Sequence, residues 1–94
     1  MQDLATSSKS SVWGVHVFYF SNKIIEGLDE FIFNLCNSLG AKPTNFEFCY
    51  SQKMRNMSFL FSKKIDAKAF EKKLFSLKDF RDQDGKCFVV KEPY

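Results

Sequence analysis

One histidine and three cysteines carry most of the reactive side-chain chemistry in this chain, and their spacing assigns them little of it. His16 stands inside SVWGVHVFYFS, a run of β-branched and aromatic residues that reads as a strand with the imidazole at or near the core. Cys36, Cys49 and Cys87 are odd in number and far apart, which fits neither a disulfide framework nor a zinc motif. They are expected to be reduced thiols, at least two of them in or near the core. No base is spaced to activate a thiol, and no metal-ligand cluster or glycine-rich phosphate loop appears. Asp82 and Asp84 belong to a turn, DQDG. The expectation is a protein without catalysis, metal or other cofactor.

What remains is stacking and charge. The stretch Arg55–Ser62, RNMSFLFS, alternates as a strand, with Met57, Phe59 and Phe61 on one face and Ser58, Leu60 and Ser62 on the other. Either the large residues form the core, or Leu60 does and the aromatics stand on an open sheet. Net charge is +3, distributed unevenly. Residues 1–47 hold three lysines against five acids (−2), and residues 48–94 hold eleven basic residues against six acids (+5). A basic half suits a polyanionic partner, and equally a solvated lysine-rich surface. The excess of Lys and Phe is that of an AT-rich genome, such as a phage or a low-GC bacterium, and says nothing of function.

Several elements would position these groups. Residues 1–10 are polar and aperiodic and read as a frayed tail ahead of a single domain over 11–94. After the first strand, Ile25, Leu28, Ile32, Leu35 and Leu39 fall on one helical stripe that Gly40 ends and Pro43 keeps from resuming. Phe33 lies off that stripe and is a candidate protein contact. TNFEFCYS alternates, with Phe46, Phe48 and Tyr50 assigned to the core because the other face carries Glu47. IDAKAFEKKLFSLKDF reads as one helix with Asp66 as N-cap, Ile65 stapled to Phe70, and a lysine stripe of Lys64, Lys68 and Lys72 outside. KCFVVKE is a last strand, with Phe88 and Val90 the expected core pair. The order is β-α-β-β-α-β: an α+β, ferredoxin-like split-βαβ fold whose antiparallel four-stranded sheet carries both helices on one face. That architecture hosts many functions and names none.

RNMSFLFS and FYFSNK (Phe18–Lys23) together resemble the two strand motifs of the RNA-recognition-motif (RRM) family. The first aligns with K/R-G-F/Y-G/A-F-V-x-F/Y, setting Arg55 on the basic position and Phe59 on an aromatic one. The second aligns with I-Y-V-G-N-L, setting Tyr19 on the stacking aromatic and Asn22 on the asparagine. Leu39–Gly40 resembles the end of the family's first helix, and GKCFVV the entry to its fourth strand. The resemblance covers about residues 13–92. Asn56 stands where the family has glycine, Met57 where it has an aromatic, Ser62 where it has a core aromatic, and Lys23 where it has an aliphatic residue.

The resemblance implies an open sheet face that binds single-stranded RNA, its unstacked bases regaining ring contact at about 1–3 kcal/mol per stack. Tyr19, Met57, Phe59 and Phe61 would then contact bases, and Lys53, Arg55 and Lys91 phosphates. Val17 and Val89 would share that face, which also fits a protein interface; a homodimer, or an inhibitor of a larger partner, is the alternative. No apolar run is long enough to span a bilayer and no signal-peptide segment opens the chain, so the expected location is the cytoplasm and no membrane partner is expected.

Overall fold

The computed structural model describes residues 12–92, so the expected tail at 1–10 lies outside the described residues. In chain order the elements are β1 (Val12–Phe20), α1 (Glu26–Ser38), β2 (Lys42–Cys49), β3 (Met54–Phe61), α2 (Lys64–Ser76), α3 (Lys78–Asp82) and β4 (Lys86–Glu92). The strands form one antiparallel sheet in the order β2-β3-β1-β4. One face of it packs against the helices, giving an α+β architecture.

Helix α1 ends as its sequence directs. Gly40 adopts φ 71°, and the amides of Gly40 and Ala41 return to the carbonyls of Asn37 and Cys36 at 3.1 and 3.0 Å. This paired closure needs a left-handed residue, the role glycine fills without strain. The second helix departs from expectation at both ends. It begins at Lys64, with Lys63 as a cap that makes no side-chain bond, so Asp66 sits within the first turn, where its charge suits the helix dipole. Ile65 is exposed and staples nothing. At Leu77 the backbone turns extended (φ −79°, ψ 118°) and the predicted single helix becomes α2 and α3. An unbroken helix would carry Phe80 well off the stripe of Ala67, Phe70 and Leu74; the break returns it to the core, fully buried.

Phe80 in turn fixes Gly85. The Gly85 amide donates to the Phe80 carbonyl at 2.9 Å, and a Cβ on Gly85 would lie 2.5 Å from both that oxygen and the Phe80 ring. Gly85→Ala should therefore destabilise the fold by about 1–3 kcal/mol, as overpacking does. A melt would register this as a loss of at least ~5 °C; an unchanged Tm would mean that the turn yields freely.

The sheet's two faces correct the sequence expectation for three of the four strands. Val15, Val17 and Tyr19 of β1, and Met57, Phe59 and Phe61 of β3, all point to the helices and are buried. In β4 the inward residues are Cys87 and Val89, while Phe88 and Val90 are exposed. Only β2 faces as expected, Phe46 and Phe48 turning toward the helices, although Phe46 keeps partial exposure and Tyr50, beyond the strand end, is exposed. Register supplies the reason. Phe46 pairs with Met57, Met57 with Val17, and Val17 with Cys87, so one rung must face one way. Keeping Glu47 in water commits Phe46, and with it the whole rung, to the core.

Candidate nucleic-acid interface

The face without helices is built from the alternate residues of each strand, and three of its rungs cross the whole sheet. Val90, Gly14, Leu60 and Lys42 form one; Phe88, His16, Ser58 and Asn45 the next; Lys86, Phe18, Asn56 and Glu47 the third. Phe20, Met54 and Cys49 continue below them. The β1–β4 side is aromatic. The Phe18 ring lies 6.0 Å from Phe20, edge-on, and 5.8 Å from Phe88, tilted. Phe88 is 51% and Phe20 41% exposed, so these rings pack on one another and still present a surface. The middle of the face is polar: His16 Nδ1 and Ser58 Oγ lie 3.2 Å apart, beside half-buried Asn45 and Asn56. Lys86 and Lys42 stand at opposite edges, with Glu47 on the β2 side.

The residues assigned to RNA by the motif alignment lie elsewhere. Tyr19, Met57 and Phe59 are 0% exposed and Phe61 1%, all under the helices. No base can stack on rings so covered, so the carried-over stacking roles are corrected. Phe59 packs at 5.2 Å from Phe70 and 5.9 Å from Phe46, and Phe61 at 5.3 Å from Phe70. Val17 is equally buried, Val89 is half-buried on the helix side, and Phe33 is packed 4.4 Å from Phe46. Of these three, only Val17 is fully covered; Phe33 and Val89 keep partial exposure. Lys91 is exposed but flanks the Trp13 ring from the helix-facing side at 6.0 Å, with Lys64 at 5.2 Å. Lys53 alone is where a loop cation was expected, exposed in the β2–β3 turn at φ 53°, its carbonyl accepting from the Ser21 amide at 2.9 Å.

Tyr19 and Arg55 have a different task. The Ile25 amide donates to the Tyr19 hydroxyl at 2.9 Å, and that hydroxyl donates to Asp29 Oδ1 at 2.8 Å. Arg55 reaches Asp29 Oδ2 through Nε at 3.1 Å and a terminal nitrogen at 2.8 Å. This buried network ties the first turn of α1 to β1 and β3. Burial, aided by the Asp29 carboxylate, pushes the Tyr19 phenol up to about 12, so it stays a donor at neutral pH. Asp29 itself left a trace in the sequence. A carboxylate three and seven residues before Ile32 and Cys36 sits against the apolar stripe and requires a partner.

The three thiols are free; Cys36 and Cys87 are buried, and burial pushes them up to about 11 and 12 respectively. The half-exposed Cys49 thiol is lowered by hydrogen bonding, first from the Ser51 hydroxyl at 3.3 Å. Among the described residues no group of three or more His, Cys, Asp or Glu could hold a metal, and no helix is long and apolar enough to cross a membrane. A groove of about 400 Å³ between α1 and α3 is lined by Ile25, Leu28, Phe31 and Leu77.

The open-face rings to which the motif alignment gave no role are half-buried Phe18 and exposed Phe20 and Phe88. Phe18 and Phe20 flank the aligned Tyr19, one residue to either side, on the opposite face of the same strand. The available signal was cross-strand consistency with Glu47. In comparisons with known proteins, no family model and no curated protein matches the chain.

Proposed function

We propose that the open sheet face binds single-stranded RNA, making this a small, non-catalytic, ferredoxin-like regulatory or accessory domain. The observation that carries the reading is the ring cluster of half-buried Phe18 with exposed Phe20 and Phe88 on a face no helix covers. Exposed rings are sequence-tolerant stacking platforms for unpaired bases. Around them stand cations for phosphates: Lys86 beside Phe18, Lys42 across the sheet, and Lys53 next to Met54, the partner of Phe20. The RRM resemblance is retained at the level of the face used and abandoned at the level of the residues.

The polar centre favours RNA over a protein. His16, Ser58, Asn45 and Asn56 would be desolvated in the core of a protein interface, which is typically apolar, whereas nucleotide edges meet them with donors and acceptors. Phe88 and Val90, both exposed beside Leu60, favour the second reading, a homodimer or protein partner on the same face.

Fluorescence polarisation with short single-stranded RNAs separates the two. Phe18→Ala/Phe88→Ala should weaken binding at least tenfold, since each stack contributes about 1–3 kcal/mol. A melt close to that of the wild type should accompany the loss, because both rings are already partly in water. Affinity should also fall steeply with salt. Unaltered RNA binding by the double variant would remove the platform. A salt-insensitive dimer dissociated by the same substitutions would transfer the face to protein association.

A further inference from the structure

The rung Lys86–Phe18–Asn56–Glu47 orders four different chemistries in a line across the sheet. Neighbouring strands are about 4.8 Å apart, so the four backbone positions span about 14 Å, the scale of one nucleotide from its phosphate to the far edge of its base. Lys86 offers a cation, Phe18 a ring face, Asn56 an amide that donates and accepts, and Glu47 a carboxylate that only accepts. Among the described residues neither the Asn56 amide nor the Glu47 carboxylate makes a hydrogen bond or ion pair within the protein. Asn56 is half-buried beside the exposed ring system, and Glu47 is exposed at the sheet's edge strand.

We infer that this rung is a single-nucleotide subsite that selects a base bearing an exocyclic amino group and disfavours uracil. The inference rests on the RNA reading above and adds to it which bases the face accepts. With the base on Phe18 and its phosphate toward Lys86, the base edge lies over Asn56 and Glu47. Adenine and cytosine place an amino donor beside a ring-nitrogen acceptor. The Asn56 amide complements such a pair in a two-point contact, and the carboxylate accepts from the same amino group. Uracil instead turns carbonyl oxygens toward Glu47 on both sides of its one ring N–H. The carboxylate can donate nothing to them and repels them.

The test compares oligoadenylate, oligocytidylate and oligouridylate of equal length, at one salt concentration, by fluorescence polarisation on wild type, Glu47→Gln and Asn56→Leu. Wild type should bind the first two about tenfold more tightly than oligouridylate, the discrimination expected of the one amino-to-carboxylate contact at Glu47 that uracil cannot make. Glu47→Gln supplies a donor, so it should raise oligouridylate affinity and narrow the ratio while oligoadenylate still binds. Asn56→Leu should weaken binding of all three oligonucleotides alike with the ratio retained, because an Asn amide pairs equally with the N3–H and O4 of uracil; the discrimination belongs to Glu47. A Glu47→Gln protein whose three affinities fall together with the ratio unchanged would show a purely structural role for Glu47 and overturns the inference. Equal affinity of the wild type for all three oligonucleotides overturns it as well while leaving the platform intact. Absence of binding to any of them overturns both.

Discussion

Phe59→Ala should lower the urea midpoint by about 2–5 M, and at 37 °C a large share of the molecules should be unfolded. The ring is 0% exposed and sits among Phe33, Phe46 and Phe70, with centroids at 6.5, 5.9 and 5.2 Å. Removing a buried phenyl group costs about 3–5 kcal/mol, the lost transfer free energy plus the cavity left behind. A domain of this size has a total stability in the range of 5–15 kcal/mol and stands toward the low end of it. At a urea slope of roughly 1–1.5 kcal/mol per molar, that cost gives the stated shift. On the proposed RNA reading, such a variant would also lose binding, for want of a fold, and binding data taken alone would misassign Phe59 to the interface. Phe59→Leu keeps most of the volume and should preserve both fold and binding. A Phe59→Ala protein that melts with the wild type would show that the ring is not where the register places it.

Asp29→Ala should be nearly as damaging, for an electrostatic reason. The carboxylate accepts from both Tyr19 and Arg55, and the Arg55–Asp29 side chains are only 11% and 12% exposed. Truncation strands a guanidinium and leaves the Tyr19 hydroxyl without its acceptor, and breaking a buried pair in this way costs about 3–5 kcal/mol. The cost belongs mainly to the charge left behind. Arg55→Met added to Asp29→Ala should therefore recover part of the lost stability, a non-additivity readable in a double-mutant cycle by urea denaturation. Strict additivity of the two substitutions would mean that the ion pair is not coupled in the folded protein.

Much of this architecture was legible from periodicity. Ile25, Leu28 and Ile32 recur at helical spacing, Phe46 and Phe48 alternate against Glu47, and Gly40 marks a stop; each is a local signal that its own segment decides. The faces of β1 and β3 were not legible, because His16, Phe18 and Phe20 are nearly as suited to a core as Val15, Val17 and Tyr19. What decides between them is non-local: Glu47 commits Phe46, and the hydrogen-bonded ladders carry that commitment to Met57 and Val17. A motif alignment that ignores this parity shifts every side chain to the wrong side. The break at Leu77 was hidden for a similar reason, since KAFEKKLFSLKDF has good helix formers throughout and only the burial of Phe80 requires the bend. Asp29 and Arg55 are 26 residues apart, and nothing in either segment names the other.

The outer strand β2 carries Pro43 next to a register irregularity between Pro43 and Asn45, with Lys42 at its head. Proline has no amide proton to donate, and the irregularity bends the strand away from a straight ladder. A second chain approaching along this border would find neither a continuous row of donors nor a neutral entry point. Lateral growth of the sheet into fibrils is discouraged there, so the molecule can keep an aromatic face open to water without also offering β2 as a template for aggregation.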